Sequence, residues 1–282
     1  MEPISKIKKE MEFNQNLGSL LKVIKTIAAM EFHAFKKKMG SFERFLQVLE
    51  HSFEMVQGRK VMHPFISNNI DSIGVVAITS DAGLLGGLNA QVIRSAIVEY
   101  KKQPGKMIVV GTKGQGAAQE AKIPIVAFPG IKEDSRYEQA LQLRDYVCEE
   151  VLKGGFGRLK IVYPFAESVT VQKVKIQEIL PFEKFKEISS KQKIADKEII
   201  IESAVENIVE YLIYLWIGHN IFEILSWSRL AELAARYTHL ESSSQKLEEV
   251  EKKIKMKYHK VRHQLVDRSM SEIFSARTIF SK

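Results

Sequence analysis

Cysteine is nearly absent from this 282-residue chain, Cys148 being the only one. A single thiol makes no disulfide framework and no thiolate metal site, so packing alone must hold the fold, as suits a reducing compartment. Proline is sparse, at 7 residues, and neither proline nor glycine occurs after Gly218. Nothing beyond that point breaks a helix before the C-terminus. No apolar run reaches the roughly 20 residues a membrane span requires. The nearest, YLIYLWIGHNIFEILSW from Tyr211 to Trp227, contains His219 and Glu223 and reads as a helix buried on several sides. The N-terminus has no apolar h-region and carries Glu2, Glu10 and Glu12 among its lysines, which argues against a secretory signal or an acid-poor transit peptide. The chain is expected to start as mature protein.

What is present begins with charge. The formal net charge is +8, and it is unevenly spread. Residues 1–60 carry 11 Lys/Arg against 7 Asp/Glu, residues 228–282 carry 12 against 7, and the middle carries 19 against 20. Two basic arms flanking a neutral core suit acidic surroundings of protein, nucleic acid or anionic membrane, or lysines that simply solvate exposed helix faces. Hydrophobic content of 45% is globular, with room for one large or two ordinary domains.

The last stretch carries a seam. Leu230, Leu233, Tyr237, Leu240, Ser244, Leu247, Glu251, Ile254, Tyr258, Val261 and Leu265 recur at alternating steps of three and four. That is one stripe of a helix packed along another helix. A helix from about residue 198 to 280 would be on the order of 120 Å long and needs a partner. Residues 4 to about 56 supply one, with Ile7, Met11, Leu20, Ile24, Phe35, Phe42, Leu49 and Phe53 at helical spacing and Gly18 and Gly40 tolerated inside. The expected division is 1–60 for the N-terminal coiled-coil helix, 70–182 for a globular domain, 183–197 for a lysine-rich connector, and 198–282 for the C-terminal coiled-coil helix.

Between the helices the period changes. Ile73 to Thr79 is a short β-branched run of the kind buried on both sheet faces, and further strands are expected at Met107–Val110, Ile123–Phe128, Leu159–Tyr163 and Val169–Leu180. Helices are expected between them near Leu88–Lys101, Gln115–Ala121 and Tyr137–Leu152. The alternation predicts an α/β, doubly wound, Rossmann-like and largely parallel sheet, inserted between the two arms of an antiparallel coiled coil.

Candidate chemistry is thin. SDAGLLGGLN, Ser80 to Asn89, and GTKGQG, Gly111 to Gly116, both follow strands, where α/β folds bind phosphates. Neither has G-x-G-x-x-G spacing or the Lys-Ser/Thr of a P-loop, and tight strand-to-helix turns account for the glycines. His259 and His263 share a helix face, but no Glu follows His259 and no third metal ligand is evident, so polar contact with a partner is the favoured reading. Cys148 reads as packing. No catalytic residue, cofactor or metal is assigned.

Three segments resemble the gamma subunit of F-type ATP synthases. ISKIKKEMEFNQNLGSLLKVIKTIAAMEFHAFKK is similar to the family's N-terminal helix, with Ile7, Lys8, Asn16 and Ala28 on its pattern. TSDAGLLGGLNAQV is similar to its S-D-x-G-L-x-G-G-L-N signature, with Ala82 where Arg is usual and Leu85 where a small residue is common. From Ser228 through Ile273, Glu232, Ala234, Ala235 and Arg236 match S-E-x-A-A-R, while Tyr258, Lys260, Arg262, Glu272 and Ile273 match the later helical segment. QEILPF, Gln177 to Phe182, is similar to the family's close of the last strand. The departures include Ile24, Thr26, Tyr237, Leu240, His259, His263, Asp267 and Ser269, and the first helix resembles the alternate bacterial subgroup.

The resemblance implies a central-stalk rotor shaft without an active site, coupling rotation of a membrane ring to ATP synthesis or hydrolysis. It implies F1 alpha and beta subunits, an epsilon subunit and the membrane c-ring as partners, no nucleic acid, and a peripheral place on the cytoplasmic face of the bacterial inner membrane. Partner contacts are expected at Arg262, His263, Asp267, Arg268, Glu232, Arg236, Ser80, Asp81 and Asn89, with His263 altering the latch that an Arg-Gln pair makes in the family. Two competing readings are a nucleotide-binding α/β enzyme with a helical dimerisation arm, which predicts nucleotide-dependent stabilisation, and a coiled-coil adaptor that binds nucleic acid.

Overall fold

The computed structural model describes residues 3–40, 43–56, 63–103, 105–182 and 204–280. The chain divides into two compact units, one formed by Met1–Met30 with Arg236–Lys282, the other by Glu31–Ala235.

The first unit is helical. Its chain segments belong to α1 (Ile4–Lys38) and α6 (Val205–Phe280). Ile7 and Met11 pack against Ile254, Tyr258 and Val261, Gly18 faces Leu247 and Glu251, and the Lys25 ammonium meets the Glu241 carboxylate at 2.6 Å. Positions rise along one helix as they fall along the other, so the pair is antiparallel. Ile7, Ala28 and Leu240 are at most 1% exposed, and each fully buried aliphatic side chain of the size of Ile or Leu contributes about 1.5–3 kcal/mol. The seam ends earlier than its spacing predicts: Val261 is its last buried position and Leu265 is 38% exposed. The reason is length, because α1 begins at Ile4 and Ile7 is already opposite Val261.

The second unit is built on a sheet ordered β3-β2-β1-β4-β5. Its strands are β1 (Ile73–Ile78), β2 (Gly105–Val110), β3 (Ile125–Phe128), β4 (Arg158–Ala166) and β5 (Gln172–Leu180). All neighbours pair in parallel except β4 and β5, which are antiparallel. Helices α3 (Leu88–Lys102) and α4 (Thr112–Glu120) cover one face, where Val75, Ala77 and Val109 meet Val92 and Ala96. The other face carries α5 (Arg136–Leu152), α2 (Glu43–Met55) and the first part of α6. Every residue of β1 is buried, which explains its unbroken apolar run.

The expected continuous helix over 4–56 is two helices. α1 stops at Lys38, and α2 turns inward to bury Leu49, Phe53 and Val56 in the core, with Phe53 and Phe182 ring centroids 5.0 Å apart. Gly18 stays helical because α6 packs behind it, whereas Gly40 lies past the end of α1 and has nothing within 4 Å of a built Cβ. By length and composition α6 would pass for a membrane span, yet Ile213, Ile217, Ile221 and Ile224 of that stretch are at most 3% exposed in the globular core. The expected connector, 183–197, lies outside the described residues.

Candidate functional site

At the carboxyl ends of the strands, the loop after β1 is tied down by its own side chains. Ser80 N–H donates to Asn89 Oδ1 at 3.2 Å, Asn89 Nδ2 donates to Ser80 Oγ at 2.9 Å, and Ser80 Oγ donates to the Ala82 carbonyl at 2.8 Å. Asp81 accepts from the backbone N–H of Thr112 at 2.8 Å and of Gly130 at 3.1 Å. Thr112 opens α4, so the Asp81 carboxylate satisfies an orphan N–H and sits at the positive end of the helix dipole. The place a phosphate would take at that terminus holds a carboxylate from the chain itself.

The glycines around it serve close approach. A Cβ on Gly111, whose φ is 92°, would stand 2.4 Å from the Thr79 carbonyl oxygen, and one on Gly130 would stand 2.5 Å from the Asp81 carboxyl carbon. Ser80, Leu88, Asn89 and Glu232 line a cleft of about 10 Å³, room for about one water and far below the few hundred Å³ of a nucleotide pocket. Glu232 is 6% exposed and pairs with Arg229 at 2.9 Å. Ser80, Asp81, Asn89 and Glu232 are thus brought together in the globular unit.

Sequence reasoning missed one exposed residue of this loop. Leu84 is a non-glycine at φ 64° and is 51% exposed, while its neighbour Leu85 is buried with Leu88 and Ala235. Holding leucine in the left-handed region costs about 1–2 kcal/mol, and here the strain presents an apolar side chain to the surface. The signal in the sequence was a pair of leucines bracketed by glycines.

The remaining candidates lie in the helical unit. Arg236 is half-buried near the start of its α6 segment. Arg262, His263, Asp267 and Arg268 follow the last buried seam residue, and every residue from 262 to 275 is exposed. Arg268 pairs with Glu272 at 2.9 Å. Interleaved with these charges are Val266, Met270, Ile273 and Phe274, each more than half exposed, of which the sequence reading singled out Ile273 alone, for its match to the family. His259 and His263 are both exposed, and among the described residues no group of three or more His, Cys, Asp or Glu side chains is arranged to hold a metal. Further along, Lys25 and Glu241 hold each other ionised: the hydrogen bond raises the ammonium's pKa and lowers the carboxyl's.

Comparison with known proteins gives a consistent result. The family model described as ATP synthase matches residues 4–278. The ATP synthase gamma chain of Clostridium beijerinckii is 24% identical over 274 residues, covering 95% of this chain and 94% of that one. That of Elusimicrobium minutum is 30% identical over 214 residues, covering 73% and 70%. In fold, the chain is similar to a chain in the rotor of the Euglena gracilis mitochondrial ATP synthase, with a TM-score of 0.67, 18% identity and coverage of 93% of this chain and 98% of that one.

Proposed function

Because the chain belongs to the ATP synthase gamma chain family, we propose that it is the central-stalk rotor shaft of an F-type ATP synthase, coupling rotation of a membrane ring to ATP synthesis or hydrolysis. It has no active site of its own in this reading. Alpha and beta subunits surround the helical unit, while the globular unit meets an epsilon subunit and the c-ring. The complex lies peripherally on the cytoplasmic face of the bacterial inner membrane.

The observation that carries the reading is the bare end of α6. Fourteen residues from 262 to 275 continue the helix beyond its last buried seam position, every one of them exposed, and five of them are large apolar side chains more than a third exposed. Short single helices are marginal in water, and an apolar surface of this kind needs cover. A surrounding ring covers it without a fixed bond. Leu84 offers a second apolar contact, and the basic residues of α6 suit acidic partner loops. The mechanism asks only that the angular position of an asymmetric shaft favour one conformation of each catalytic subunit over another. Arg262, His263, Asp267, Arg268, Glu232, Arg236, Ser80, Asp81 and Asn89 are the contacts assigned to it. Occupation of the α4 terminus by Asp81 and the closure of the cleft weigh against the nucleotide-binding enzyme.

The test is reconstitution with alpha and beta subunits. An ATP-hydrolysing complex containing this chain, whose coupling is lost when residues after about 255 are removed, is the expected result. A chain that stays monomeric in their presence overturns the reading.

A further inference from the structure

Strand β5 closes one edge of the sheet. β4 pairs with one side of it, and among the described residues no strand pairs with the other. Since β5 is antiparallel to β4, it runs in the same direction as α3, which returns antiparallel to β1. Between α3 and β5 lies an open groove of about 510 Å³, lined by Gln91, Arg94, Ser95, Gln172, Lys173 and Val174.

The pleat sorts the strand's side chains. Lys175 stands over the Phe165 ring, with Nζ 3.3 Å from its centroid, on one face. Val174 packs with the α3 core on the other, and alternation puts Gln172 and Ile176 beside it. Ile176 is 47% exposed, and Val98, one turn beyond Arg94 on α3, is 56% exposed. Val174 is thus the apolar residue in a mostly polar lining, and Ile176 and Val98 are exposed apolar positions further along the same strand and helix. Lys173 is engaged by Glu167 at 2.8 Å and Arg158 by Glu178 at 2.7 Å, whereas Arg94 has no ion-pair or hydrogen-bond partner among the described residues.

An open edge is a template for another strand, and proteins ordinarily guard it with charge. Here Lys175 is turned to the far face and Lys173 is held by Glu167, which leaves Arg94 as the unpaired charge beside the α3 face of the edge among the described residues. We propose that the free edge of β5 and this groove receive an extended, acidic segment of another subunit. That segment adds a strand to the sheet, sets an apolar side chain at the Val98 and Ile176 end, and brings a carboxylate to Arg94. The mode is strand addition, in which main-chain bonds give affinity and alternate side chains give selectivity.

The inference rests on the chain being a subunit of the ATP synthase, and hydrogen exchange separates the two claims. Exchange is followed in the isolated chain and in the complex reconstituted with alpha, beta and epsilon subunits and the c-ring. Amides of β5 are expected to exchange at least about tenfold more slowly in the complex, beyond any slowing at the opposite edge strand β3. Arg94→Glu and Ile176→Lys, both surface changes, should abolish that slowing while leaving the melting temperature of the isolated chain unchanged. If the complex forms and β5 exchanges as in the isolated chain, the inference fails and the shaft reading stands. Equally slow exchange in the isolated chain, showing that the chain covers its own edge, overturns it too, as does slowing that neither substitution affects. Failure of the complex to form overturns the shaft reading itself.

Discussion

At the scale of single residues, a few buried or clamped groups set the behaviour of the globular unit. Asp81 joins the loop after β1 to the start of α4 and to the loop after β3 through two backbone hydrogen bonds. Asp81→Ala leaves both N–H groups without that acceptor and is expected to cost about 1–2 kcal/mol, a fall of roughly 2–8 °C in Tm by calorimetry. Glu99, 5% exposed, is held ionised by hydrogen bonds from Lys102 and then Lys160, which place its carboxyl below the ordinary value of 4.5. A depressed folded pKa stabilises above the unfolded value and loses that contribution as pH falls through the folded one. Denaturant midpoints measured from about pH 6 to pH 3 should therefore drop more steeply for the parent than for Glu99→Gln. Burial pushes the Cys148 thiol up to about 12, so a thiol reagent at neutral pH should leave the native chain unlabelled and react fully once it is unfolded. The burial of Cys148 was legible from its place on an apolar helix face. The role of Asp81 was not, because its two partners are 31 and 49 residues away and only the sheet order brings them together.

At the scale of elements, the two long helices differ in what fixes them. Their pairing was readable because a stripe at steps of three and four has one use in a helix of this length. Where the pairing stops was not readable, since it depends on where α1 begins. Gly18 illustrates the same limit: sequence marks it as a weak point, while the structure shows Leu247 and Glu251 across from it. A built Cβ would lie 3.4 Å from Glu251 Oε1 and 3.5 Å from Leu247 Cδ2, so alanine fits with a small shift of a flexible carboxylate. Gly18→Ala should raise stability by about 0.5–1 kcal/mol through helix propensity, seen as a higher Tm for the helical signal. Gly40 looked equivalent, and the burial of Phe53 and Leu49 of α2 in the sheet core decided otherwise.

For the whole molecule, the bare end of α6 separates stability from assembly. Ile273→Ala with Phe274→Ala removes two side chains that are 64% and 62% exposed, so the isolated chain should unfold within about 0.5 kcal/mol of the parent. Co-purification with alpha and beta subunits should weaken, and unchanged yield of complex would count against the ring as the cover for this surface. The sequence by itself determined the class of the described strands and helices, the α/β insertion between two helices, and the family, because period, β-branched runs and local motifs are properties of neighbouring residues. Tertiary structure alone decided that Asp81 takes the helix terminus a phosphate would need, that Leu84 rather than Leu85 faces outward, that Leu265 lies beyond the seam, and that no strand among the described residues pairs with the outer side of β5. Each of these depends on which distant segment arrives beside a residue, and local spacing does not encode that arrival.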